Sequence, residues 1–107
     1  MYDVRTISGV ELRYLLSLCL WQRGPMTVRE LVEAVAAGGF VLAHRPSKQV
    51  SDALRWEVRR GRAVRLGRGR YGPGRTPRST RDRMRTRIAR RQARLDRTVP
   101  DAMYRVR

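Results

Sequence analysis

The 107-residue chain has no asparagine, one lysine, one phenylalanine, two isoleucines and one cysteine. The lone Cys19 excludes an internal disulfide and a cysteine-based metal centre, and fits a reducing cytoplasm. No apolar run reaches the roughly 18 to 20 residues that a bilayer-spanning helix needs. The longest, Tyr14 to Trp21, is interrupted by Ser17 and reads as a buried helix. The opening residues lack the basic-then-apolar order of a secretory signal, so neither export nor membrane attachment is expected. The sequence offers no carboxylate pair, Ser-His-Asp set or metal-ligand cluster, so no enzymatic chemistry and no cofactor is expected. His44 stands alone in a connection and reads as structural or solvated. The shortage of lysine and asparagine beside 24 arginines looks like the codon bias of a GC-rich genome. The preference for Arg over Lys therefore carries little functional weight. The net charge and its placement are not explained that way.

Acidic residues are also scarce, and unevenly so. In residues 1–44 four basic side chains (Arg5, Arg13, Arg23, Arg29) balance four acidic ones (Asp3, Glu11, Glu30, Glu33). Residues 45–107 set 21 basic side chains against five acids and carry the whole net charge of +16. A neutral, apolar half joined to a cationic half implies a small core presenting a surface to a polyanion. Nucleic acid is the expected one, because neutralising phosphates with Arg and Lys releases condensed counterions.

The apolar spacing organises the first half. Ser8 and Glu11 form an S-x-x-E capping box, predicting a first helix from there to about Arg23, ended by Gly24 and Pro25. Leu12, Leu15, Leu16 and Cys19 share one face; Tyr14, Leu18 and Trp21 form a second apolar strip. A helix apolar on both strips is expected to be buried on more than one side. Thr27 and Glu30 repeat the capping box and open a second helix from Val28 to about Ala37, with Leu31, Val32 and Val35 inward and Gly38-Gly39 as its stop. Phe40, Val41 and Leu42 read as an apolar connection beneath it. Pro46 suits the first turn of a third helix, with Ser47 as an alternative cap; this helix runs to about Arg60 and stops at Gly61. Val50, Ala53, Leu54 and Val58 are expected to face the core. Glu57 falls near that inner face and is expected to pair with an arginine at the core edge.

Residues 62–72 read as a hairpin, with Ala63 to Leu66 rising, Gly67, Arg68 and Gly69 at the tip, and Arg70-Tyr71 returning. The run Gly67 to Gly72 also matches G-x-G-x-x-G. However, Pro73 and Gly74 follow where a helix should begin, so a dinucleotide site is set aside. Gly72, Pro73 and Gly74 close the domain, and residues 75–80 read as a linker. The tail from Arg81 to Arg97 holds eight arginines, with Met84, Ile88 and Leu95 on a thin stripe broken by Arg91. Three readings stay open for it. It is an arm that tracks DNA and orders on binding, a helix docking Met84, Ile88 and Leu95 on the spare strip of helix one or on a second subunit, or a solvated extension.

The order helix, short strand, helix, helix, hairpin is that of a winged helix-turn-helix. Pro46, Val50-Ser51, Leu54, Glu57-Val58 and the closing run from Val64 through Tyr71 resemble the HARE-HTH family of winged helices. They also look like small actinobacterial proteins with a winged-helix core. The resemblance covers roughly residues 7–72. It implies DNA or chromatin association, and, because the family includes a domain of a bacterial RNA polymerase subunit, a polymerase contact as well. That subunit's tail is acidic and this one is basic. The expected fold is thus mainly α within the α+β class: a three-helix winged helix-turn-helix with a small β-hairpin wing over residues 1–74. An arginine-rich extension, helix or arm, follows over 75–107.

On that frame helix three, residues 47–60, is expected in the major groove of double-stranded DNA. Arg55 and Arg59 suit guanine and Gln49 adenine, with Lys48 and Ser51 on phosphates. Arg68 at the wing tip, with Arg65 and Arg70 along its strands, suits the minor groove or its flanking backbone. Arg62, Arg75 and Arg78 complete the expected DNA-binding set. The expected role is a cytoplasmic, nucleoid-located, non-enzymatic regulator or nucleoid-associated protein, with a homodimer through helix one or the C-terminal helix as an option. The alternatives are an adaptor docking on RNA polymerase or another nucleic-acid machine, and an RNA-binding protein. The last needs exposed aromatics for base stacking, for which Trp56 and Tyr104 are the candidates.

Overall fold

The computed structural model describes residues 4–98. Among them four helices and three short strands run in the order α1 (Gly9–Arg23), β1 (Met26–Thr27), α2 (Val28–Ala37), α3 (Pro46–Arg59), β2 (Ala63–Gly67), β3 (Arg70–Pro73) and α4 (Arg78–Thr98). This is an α+β architecture, with an antiparallel sheet in the order β1-β3-β2. None of these helices is long and apolar enough to cross a membrane.

The inner strip of α1 (Leu12, Leu16, Cys19) and Leu20 meet Leu31 and Val35 of α2 and Val50, Ala53 and Leu54 of α3. Burial of this order is worth about 1.5–3 kcal/mol for each large apolar side chain. Met26, Ala63 and Tyr71 close the sheet side of the same core, and Phe40 packs beneath. The first segment also joins this layer. Ile7 donates its amide to the Val41 carbonyl at 3.0 Å, and Val41 donates to Arg5 at 2.8 Å, around a parallel bridge between Thr6 and Val41. Burial pushes the Cys19 thiol above its ordinary pKa and so keeps it unreactive.

The two capping boxes fare differently. At α2 the Thr27 hydroxyl accepts from the Glu30 amide at 3.1 Å and Glu30 accepts from the Thr27 amide at 2.8 Å. These hydrogen bonds hold the Glu30 carboxyl below its ordinary pKa. The carboxylate's contribution is therefore present at neutral pH and fades as the pH falls through the carboxylate range. Thr27→Ala is expected to cost about 1 kcal/mol, read by urea denaturation. At α1 Ser8 occupies the cap position but makes no side-chain cap bond. Glu11, expected to complete that box, is drawn away to Arg87 at 3.6 Å and Arg91 at 3.2 Å.

Three further expectations need correction. Val58 is 37% exposed, not buried. The buried arc of α3 is made by Val50, Ala53, Leu54 and Glu57, and Val58 lies about 90° from its centre. The start of α3 uses neither Ser47 nor another side chain as a cap: Arg45 holds that position in the left-handed region (φ 36°), with Pro46 in the first turn. Finally, residues 75–80 are not a loose linker. Gly74 and Arg75 donate backbone bonds to the carbonyls of Arg62 and Gly61 at 2.9 and 2.8 Å, and α4 begins at Arg78. A Cβ on Gly74 would stand 2.2 Å from the Gly61 carbonyl oxygen, so only glycine permits this crossing.

Of the three readings of the tail, the described structure has the docked helix. Met84 and Ile88 bury against Leu18, with Tyr14 and Leu15 beside them, while Leu95 reaches the main core. Arg81 and Arg85 stack on Trp21, at 3.8 and 4.6 Å from the ring centroid. The Gln92 amide donates to the Gly38 carbonyl at 2.7 Å, satisfying the end of α2. Arg91 does not break the stripe, being buried within it.

Candidate nucleic-acid interface

Besides its apolar packing, helix α3 is tied to its neighbours by one buried carboxylate. Glu57 has no exposed surface. Its two oxygens accept from Nε and Nη2 of Arg62, each at 2.7 Å, and it also accepts from the Ser17 hydroxyl of α1. Arg13 of α1 approaches to 3.8 Å. These bonds raise the Arg62 pKa above its ordinary value. The pairing foreseen for Glu57 is therefore made, and its partner is a residue expected on the DNA surface. Arg62 is correspondingly withdrawn from that surface, because burying Glu57 requires a matching, hydrogen-bonded cation.

With Glu57 turned inward, the opposite face of α3 carries the exposed polar groups. Asp52 holds Lys48 at 3.1 Å and Arg55 at 3.5 Å. Such exposed pairs are weak, roughly 0.2–1 kcal/mol, so both cations stay free to exchange partners. Arg55 and Arg59 then line a groove of about 230 Å³ together with Arg65 of β2, floored by Val58 and Tyr71. No acidic side chain lines it. Arg59 stands four residues beyond Arg55 and Arg65 a further six along the sequence, and the turn through Gly61, where φ is +76°, brings them together.

On the other flank of α3, Gln49, Asp52 and Trp56 line a hollow of about 200 Å³ against Gly9, Leu12 and Arg13 of α1. Gln49 accepts from the His44 amide at 3.4 Å, so its carbonyl end is engaged locally. Ser51 is half-buried and Lys48 exposed. Trp56 is 45% exposed, and three guanidinium groups surround its ring: Arg13 at 5.2 Å, Arg59 at 5.5 Å and Arg60 at 5.7 Å. Arg13 was counted only with the neutral half of the sequence.

The hairpin is anchored, not free. The Val28 amide, an orphan of the first turn of α2, donates to the Gly69 carbonyl at 2.9 Å. Gly69 turns with φ +68°, and the ladder is irregular between Arg65 and Gly67. Arg65, Arg68 and Arg70 are all exposed, with Arg70 opposite Thr27 and close enough to Glu30 to act on its charge. Arg75 and Arg78 are exposed at the junction leading into α4. Tyr104 lies outside the described residues.

A second basic surface lies on the arginine-rich tail, for which the sequence offered a DNA-tracking arm but no ordered row. Arg83, Arg87, Arg90 and Arg94, with Arg91 and Thr86, line a groove of about 570 Å³ along α4, in which Glu11 is the one acidic lining residue. Their spacing of four, three and four residues was the available signal: it puts four arginines on one flank of a helix. Among the described residues no three or more His, Cys, Asp or Glu gather where they could hold a metal ion.

The chain matches no protein-family model, no curated protein and no solved structure.

Proposed function

We propose that the protein is a non-enzymatic, double-stranded-DNA-binding protein of winged helix-turn-helix type, resembling the HARE-HTH modules, acting as a small transcriptional regulator or nucleoid-associated protein. In this reading α3 enters the major groove and the β2-β3 hairpin lies on the minor groove or its backbone. The observation that carries it is the acid-free groove in which Arg55 and Arg59 of α3 meet Arg65 of the hairpin. Guanidinium groups from two elements suit the sugar-phosphate backbone that separates the major groove from the minor. In this reading exposed Arg68 at the hairpin tip adds a backbone contact. Arg62 is left out, being committed to Glu57.

Fluorescence anisotropy with a labelled duplex, competed by single-stranded RNA at two salt concentrations, tests the reading. Six to eight phosphate contacts give a log-log salt slope of about −5 to −7. The triple variant R55Q/R59Q/R65Q is expected to weaken duplex binding at least tenfold and, with Arg65 the one of the three assigned to the backbone, to reduce that slope by about 1. Arg55→Ala alone is expected to change sequence preference, whereas Arg68→Ala weakens all sequences alike. A full chain that ignores duplex DNA at low ionic strength, or that prefers the RNA competitor, overturns the reading. A genome-wide occupancy map then separates a regulator, with discrete peaks, from a nucleoid protein with blanket coverage.

A further inference from the structure

We infer that the arginine-lined flank of α4 is a second phosphate-binding surface, so that one molecule holds two duplex segments at once. The inference rests on the proposed DNA binding through α3 and the hairpin, and extends it from binding to bridging.

The first support is the form of the surface. Arg83, Arg87, Arg90 and Arg94 follow one flank of α4 over about 16 Å, since a helix rises 1.5 Å per residue. One strand of duplex DNA advances about 3.4 Å along the axis per phosphate, so the row runs beside roughly five phosphates. Arg91 sits beneath and shares Glu11 with Arg87, an exposed and therefore weak pair on the Arg87 side, and the groove is lined by arginines, Thr86 and that one carboxylate. No aromatic side chain lines it. Single-stranded nucleic acid is held by stacking bases on aromatic rings, so this groove fits a duplex backbone and lacks the platform that unpaired bases need.

The second support is rigidity. A solvated arm would pay an ordering cost on binding; this helix is already fixed by Met84 and Ile88 against Leu18, by Leu95 in the core, and by Arg91 on two backbone carbonyls. The arginine row is therefore presented preformed.

The third is placement. On α1, Arg13 and Ser17 face Glu57 of α3, while Glu11 and Leu18 face α4. With about 100° between successive helical residues, these two sides of α1 are about a third of the way round from each other. DNA is stiff over about 150 base pairs, so a short duplex seated on α3 and the hairpin does not wrap onto α4 as well. The α4 row remains open to another segment.

The test uses the full chain, a bead-bound 24-base-pair duplex and a second, labelled duplex, at low ionic strength. The wild-type protein is expected to bind the first duplex and carry the second onto the bead. The variant R83Q/R87Q/R90Q/R94Q is expected to bind a single duplex within about threefold of wild type and to lose capture of the second by tenfold or more. R83K/R87K/R90K/R94K retains the charge and is expected to retain capture, which separates charge from fold. Wild-type protein that binds one duplex yet captures no second overturns the inference and leaves the α3 reading standing. Capture undiminished in the glutamine variant, as bridging by self-association would give, overturns it. So does an equal loss of single-duplex binding and capture, which would make the two rows one surface. Absence of any duplex binding overturns both readings together.

Discussion

Replacing Glu57 with alanine is expected to be among the most destabilising single changes in this protein, costing about 3–5 kcal/mol against a typical total of 5–15 kcal/mol for a domain. The carboxylate joins three parts of the chain: α1 through Ser17 and Arg13, α3 on which it sits, and the entry to β2 through Arg62. Its removal leaves two guanidinium groups, 19% and 14% exposed, without their counter-charge. A buried pair broken on one side costs far more than a pair that is absent. Urea denaturation followed by circular dichroism reads the loss as a lower midpoint at unchanged slope. The double change Glu57→Leu with Arg62→Leu is expected to recover most of it, because two apolar groups need no compensation. Recovery by the double variant identifies desolvated charge as the cause, and an equally unstable double variant points instead to packing of the two stems.

Arg91→Ala is expected to cost about 3 kcal/mol. Although it lies among solvated arginines in sequence, Arg91 is 4% exposed. Its Nη1 donates to the Val4 carbonyl at 2.7 Å, Nη2 donates to the Thr6 carbonyl, and Nε donates to Glu11 at 3.2 Å. The guanidinium also lies 5.6 Å from the Phe40 ring centroid. The planar fork satisfies three acceptors at once, which the single ammonium of Arg91→Lys does not, so lysine is expected to rescue little. The loss has a local signature. Because Arg91 holds the segment that pairs with Val41, hydrogen exchange at the Ile7 and Val41 amides is expected to rise more than at Leu16 or Leu54. Uniform acceleration over all four would show a global effect only.

These two residues also mark where sequence reading reached its limit. Helices α1, α2 and α3 and the hairpin were legible because apolar spacing, Gly and Pro stops and the Thr27-Glu30 box all agreed. The inward turn of Glu57 was legible from its place on the same arc as Val50, Ala53 and Leu54, and so was its need for an arginine. That the arginine is Arg62 was not, since eight arginines lie between residues 55 and 75 and only the fold selects among them. The same blindness hid Arg91: a charged residue on an apolar stripe reads as an interruption until the carbonyls of Val4 and Thr6 are seen opposite it. Ser8 and Glu11 have the right spacing for a cap, yet a stronger cation claimed Glu11 from more than seventy residues away. Local rules have no access to such competition. Of the candidate interface, Arg55, Arg59 and Arg65 could be placed from helix and strand periodicity, whereas the arginines of the tail were legible as a basic segment but not as a row of four on one flank of α4.

The bond between the Val28 amide and the Gly69 carbonyl makes the hairpin a lever with its fulcrum in α2. A hairpin whose tip is itself tied to a helix explores few orientations, so little motional freedom remains for any partner to take away. Lengthening the tip by a residue or two would leave Arg65 and Arg70 on their strands and yet slacken this tether. If the proposed duplex binding holds, its affinity is expected to drop through lost stiffness.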